Sequence, residues 1–160
     1  MAKVMQGKAP ILPVEPLNNF SVSFQVSVPF TYGPGVQPIP MTHSQPAVGS
    51  LAVVSGWGAL SAGGSYPRQL QAVEIYIISN EECNRAYGDY GGITKTMICA
   101  GVTGGGKGPC QGDDGGPLVV GGQLVGIVSW RIGCGEVAYP GVYSDVASLR
   151  SFVTDTTGVQ

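Results

Sequence analysis

Glycine and proline interrupt this chain so often that a long helix has little room: 26 of its 160 residues are glycine and 12 are proline. Proline removes a backbone donor and clashes with the turn before it, and glycine loses the most backbone freedom when held in a helix. Short strands joined by tight turns are what such punctuation permits. The length suits one domain with a short extension. Charged residues make up 11 % and hydrophobic ones 43 %, too apolar a balance for a disordered chain. Net charge is −2, with no basic run and no acidic tail, so neither nucleic acid nor a membrane surface is an expected partner. No stretch is long and apolar enough to span a bilayer.

Residues 1–20 read as irregular, broken by Pro10, Pro13 and Pro16. Across residues 21–30, Val22, Phe24, Val26 and Val28 alternate with Ser21, Ser23, Gln25 and Ser27, the pattern of a half-buried strand. Pro34, Pro38, Pro40 and Pro46 make the following stretch an extended connector, so the chain divides into residues 1–20, 21–48 and 49–160. In the last part, strands are predicted at residues 51–54, 70–78, 97–100, 118–120 and 123–129 and at Val142-Tyr143. Gly121-Gly122 reads as a two-residue hairpin turn. Asn80 is the expected N-cap of a helix with Glu81 and Glu82 in its first turn. Val146, Leu149, Phe152 and Val153 fall at helical spacing and predict a closing helix. About six evenly spaced strands predict an all-β chain folded as a small closed antiparallel barrel.

The cysteines are Cys83, Cys99, Cys110 and Cys134; none forms a C-x-x-C pair, and the single histidine, His43, is far from all of them. A zinc site is not expected, and two disulfides in one of three pairings are. Disulfides point to an oxidising, extracellular setting. The first residues carry no apolar core behind Lys3, so the sequence reads as lacking an export signal. Asp113 and Asp114 adjoin on a tight loop and point apart, which excludes a shared-proton dyad, and no calcium-loop spacing surrounds them. Gly104-Gly105-Gly106-Lys107 lacks the spacing of a phosphate loop. No metal and no cofactor is expected.

One stretch, Gly112-Asp113-Asp114-Gly115-Gly116-Pro117, resembles the nucleophile loop of chymotrypsin- and trypsin-like serine proteases, whose signature is G-D-S-G-G-P. Four further motifs match that family in order: Val54-Ser55-Gly56-Trp57-Gly58, Met97-Ile98-Cys99-Ala100-Gly101, Gly126-Ile127-Val128-Ser129-Trp130 and Pro140-Gly141-Val142-Tyr143. The resemblance covers roughly residues 21–158. It implies the second barrel of a two-barrel fold with a C-terminal helix, preceded in residues 21–48 by the last strand and crossover of the first barrel. The disulfide pairing it implies is Cys83 with Cys99 and Cys110 with Cys134.

The resemblance also assigns the site, and the chemistry there has changed. Amide hydrolysis in this family needs a serine, an imidazole base, a carboxylate behind it and two N–H groups facing the oxyanion. Asp114 stands at the serine position. Gly112 and the N–H of Asp114 match the oxyanion hole. The family's T-A-A-H-C segment is absent, and His43 reads as a solvated loop residue. Leu17-Asn18-Asn19-Phe20 offers no acid where the orienting aspartate is expected. Asp113 matches the aspartate that captures a cleaved N-terminus; without an I-V-G-G start it is expected to lack an ion-pair partner and to leave its loop loose. Gly108 replaces the acid of a trypsin specificity pocket, whose walls here are Trp130, Arg131 and Gly141. Arg131 stands where a glycine normally keeps the pocket open, so it should obstruct and repel a basic side chain; it either points into water at the rim or pairs with Asp114 and seals the cleft. The expectation is a non-catalytic, extracellular homologue that binds a protein partner or protease inhibitor. An active serine endopeptidase and a truncated product without function are the alternatives.

Overall fold

Alternation decides β1 (Leu51–Gly56): Ala52 and Val54 turn inward and are buried, while Leu51 and Val53 face out. The computed structural model describes residues 27–158. Within them follow β2 (Gln71–Ile78), α1 (Asn80–Tyr87), β3 (Met97–Gly101), β4 (Pro117–Val120), β5 (Gln123–Trp130), β6 (Gly141–Asp145) and α2 (Val146–Thr157). Every strand pairing is antiparallel, in the order β1-β2-β3-β6-β5-β4. Val53 opposite Val119 and Val54 opposite Leu118 join the two ends and close the barrel. Closure removes the unpaired edges that an open sheet would present. The interior holds Ala52, Val54, Ile75, Ile77, Ile98, Ala100, Leu118, Val125, Val128 and Tyr143.

The six strands predicted within residues 49–160 and the closing helix are all present. Gly121 and Gly122 carry φ of 56° and 79°, the left-handed pair that a two-residue hairpin between β4 and β5 requires. The start of α1 lies one residue earlier than the sequence suggests. Ser79, not Asn80, is the cap: its backbone is extended and its hydroxyl accepts the Glu82 N–H at 3.1 Å. A hydroxyl three residues ahead of a glutamate is the stronger signal, and the competing Asn80 masked it. Asp145, fully buried, caps α2 by accepting the Ala147 N–H at 3.1 Å and is also held by Gln45 and Ser148.

The expected strand at residues 21–30 is only partly within view. Residues 27–30 form no strand, and the rest of that segment, with the boundary at residue 20, lies outside the described residues. The connector is more ordered than its proline content suggests. Leu124 donates to the Pro40 carbonyl and accepts from Thr42 N–H, and Met41 packs with Leu124 and Val146. The two disulfides are Cys83–Cys99, which ties α1 to β3, and Cys110–Cys134, which joins the loop before β4 to the loop after β5. That second bridge sets the two walls of the candidate site against each other.

Candidate functional site

The loop before β4 is organised by Asp113. Its carboxylate turns inward, accepting the Gly58 N–H at 2.7 Å and the Cys110 N–H at 2.9 Å. Its carbonyl accepts the Gly116 N–H at 2.9 Å, and its own N–H donates to Cys110 O at 3.1 Å. A Cβ on either Gly56 or Gly58 would overlap the Asp113 side chain, so the glycines flanking Trp57 exist to admit a carboxylate from 55 residues away. Asp113 therefore has partners, in the backbone rather than in a cation; the expected lack of an ion pair does not leave its side chain unheld. This role of Gly56 and Gly58 was not anticipated from the sequence, although their spacing around a tryptophan was a usable signal. With Gly108, Pro109 and Lys107 they line a cavity of about 220 Å³ beside Asp113.

Asp114, the next residue, faces the other way. Arg131 donates from Nη1 to Asp114 Oδ1 at 2.6 Å. The arginine side chain is only 10 % exposed, the aspartate side chain 58 %. Asp114 thus lies across the outer end of a guanidinium whose stem is covered, so of the alternatives open at Arg131 the structure has the pairing with Asp114. Gly112 has φ of 90°, and a Cβ there would come within 2.9 Å of the Tyr66 ring. Among the described residues, neither the Gly112 N–H nor the Asp114 N–H has an internal acceptor.

The wall behind Arg131 is built by β5 and β6. Trp130 pairs with Val142 across the sheet and packs edge-on against Tyr87, ring centroids 4.6 Å apart. Tyr87 donates to Pro140 O at 2.5 Å, and burial pushes its pKa up to about 12. Tyr143 is fully buried, and burial raises its pKa further, opposed in part by the Arg131 charge. A Cβ on Gly141 would lie 3.0 Å from the Tyr143 hydroxyl and 3.1 Å from the Pro109 ring, so this glycine leaves room for both. Gly108 sits beside the Gly135 backbone and opens toward Asp113. Tyr143 was missed as a site residue, though it ends the Pro140-Gly141-Val142-Tyr143 motif.

His43 does not join this group. It is exposed, on a segment anchored at Leu124, and Arg131 lies seven residues further along the chain, about 20 Å of strand. Among the described residues no group of three or more His, Cys, Asp or Glu side chains could hold a metal ion. Another cavity, of about 720 Å³, is lined by Tyr76, Arg85, Val102, Val137 and Tyr139 among others; of the predicted site residues only Gly141 borders it. No helix among the described residues is long and apolar enough to cross a membrane.

The loop, the barrel and the disulfides together match a known architecture. The trypsin family model matches residues 17–153. The chain belongs to the trypsin family. This trypsin homologue is 47 % identical over 138 residues to trypsin alpha-3 of Lucilia cuprina, covering 86 % of this chain and 82 % of that protein. It is 52 % identical over 125 residues to trypsin delta of Drosophila melanogaster, covering 77 % and 49 %. Its fold superposes on the structure of neuropsin, a serine protease expressed in the limbic system of mouse brain, with a TM-score of 0.74 and 39 % identity, covering 79 % of this chain and 56 % of that one. The homologue therefore spans about half the length of several of its relatives.

Proposed function

We propose that this trypsin homologue does not cut peptides and instead acts extracellularly as a binding protein for a protein partner or a protease inhibitor. The observation that carries this reading is Asp114 at the nucleophile position, held by Arg131 at 2.6 Å. A carboxylate is a poor nucleophile toward amides. Its negative charge would also stand beside the N–H groups that should meet a developing oxyanion, opposing the transition state. The scaffold around it is retained: a closed barrel, two disulfides consistent with an oxidising compartment, and exposed Trp57, Leu60 and Tyr66, the last against Gly112.

The test is an active-site titration with a serine-directed fluorophosphonate, run beside hydrolysis of lysine and arginine anilides. No labelling and no turnover above buffer are expected. Labelling of any cleft serine, or turnover by contaminant-free protein, would restore the endopeptidase reading. Asp114→Ser in this 160-residue chain is expected to gain no measurable amidolysis, since its one imidazole sits on an exposed connector.

A further inference from the structure

Three of the exposed apolar side chains, Val48, Tyr76 and Val137, line one open cavity of about 720 Å³ instead of scattering over the surface. They are 64, 49 and 72 % exposed. The volume falls within the roughly 300–1,000 Å³ typical of small-ligand sites. The cavity lies outside the cleft: Asp113, Asp114, Trp130 and Arg131 do not line it. Its walls are braced. One is α1, tied to β3 by the Cys83–Cys99 bridge. The others are the loop after β3 and the loop that follows Cys134, which is itself bonded to Cys110. These two loops are fastened backbone to backbone, the Gly106 N–H donating to Gly135 O at 2.7 Å. Gly105 and Gly135 carry φ of 70° and 72°, and a Cβ on either would come within 2.8 Å of the other loop's backbone. Glycine lets the loops close on each other, so the cavity is formed before any ligand arrives.

Charges of both signs border the same space, two of each. Glu82 and Arg85 stand one turn apart on α1, and Lys107 is on the loop after β3. Glu136 completes the set, with its carboxylate beside Gly133. All four are exposed, and among the described residues none of them makes a salt bridge. A purely anionic ligand would be opposed by Glu82 and Glu136, and a purely cationic one by Arg85 and Lys107. A neutral apolar ligand would strip water from these charges and return nothing. We propose that this cavity binds a short peptide with both termini free. Its carboxylate takes Arg85 and Lys107, its ammonium takes Glu82 and Glu136, and its apolar side chains cover Val48, Tyr76 and Val137. The site goes beyond the binding role of the cleft and stands or falls separately from it.

The experiment is calorimetric titration of the intact, doubly disulfide-bonded chain with one tripeptide, Leu-Ala-Leu, in four forms. These have both ends free, the amine acetylated, the carboxylate amidated, or both ends blocked. The doubly free form should bind tightest, each single block should weaken it by about three- to tenfold, and the doubly blocked form should be weakest. Two double variants then locate the termini. Arg85→Gln with Lys107→Gln should erase the advantage of a free carboxylate and keep that of a free amine. Glu82→Gln with Glu136→Gln should do the reverse. All four side chains are exposed, so these variants are expected to fold, which the near-ultraviolet circular dichroism of each checks. Equal affinity for the four forms overturns the assignment, and so does tightest binding of a singly or doubly blocked one. A preference for the free form that survives in both double variants places the peptide elsewhere and overturns it as well. Should one double variant not fold, the wild-type series and the other variant decide.

Discussion

Asp113 turns inward between two glycines and accepts backbone N–H groups from Gly58 and Cys110, while Asp114, one residue on, turns outward to a single arginine and stays more than half exposed. The inner carboxylate is fixed by donors that belong to the backbone, at Gly58 and Cys110. The outer one is fixed by a partner that salt can screen and a ligand can replace. One tight loop thus carries a structural anchor and an adjustable contact side by side. The difference shows how the loop carries an exposed acid at residue 114: its conformation is held by the residue before it.

The largest effect is expected at the inner carboxylate. Asp113→Ala leaves two buried N–H groups without a charged acceptor and should lose about 3–4 kcal/mol in urea unfolding; a loss within 1 kcal/mol would show that the anchor lies elsewhere. Removing the Cys110–Cys134 bridge as a double alanine variant, a separation of 24 residues, should lose about 3 kcal/mol and weaken both sides together. An alkaline titration sharpens the picture of the wall behind. Tyr87 keeps its proton up to about 12 in the fold against an ordinary value of 10.0, so the unfolded chain loses that proton first. Stability should accordingly be insensitive to this group below about pH 10 and fall as pH rises toward 12, and Tyr87→Phe should flatten that fall. The smallest effect belongs to the outer pair: a double-mutant cycle on Arg131→Met and Asp114→Asn should give a coupling below about 1 kcal/mol that shrinks in 1 M salt. A coupling of several kcal/mol would make Asp114 as structural as Asp113.

The sequence exposed what depends on side-chain pattern and turn chemistry. Alternation at Ala52 and Val54, the paired glycines at 121 and 122 and the spacing of Val146, Leu149 and Phe152 led to the right elements, because burial and φ leave a local trace. The ion pair of Arg131 with Asp114 was readable only as an alternative to an arginine pointing into water at the rim, since the resemblance places both charges near one cleft without fixing where either side chain turns. What stayed hidden joins distant residues through the backbone. Leu124 pins Pro40 and Thr42 by main-chain hydrogen bonds that no residue type announces. Gly56 and Gly58 look like turn glycines until Asp113 is seen lying against them. Ser79 lost to Asn80 because both residues cap well, and only the hydroxyl's reach to Glu82 separates them.

The Cys110–Cys134 bridge also has a thermodynamic consequence for occupancy. It lies four residues before Asp114 and three after Arg131, so the opposing charges sit on one small covalent ring. Such tethering gives Asp114 an effective local concentration on the order of millimolar. An external anion must therefore compete at about that level for a guanidinium the ring already supplies with a carboxylate, so the contact re-forms readily whenever it opens.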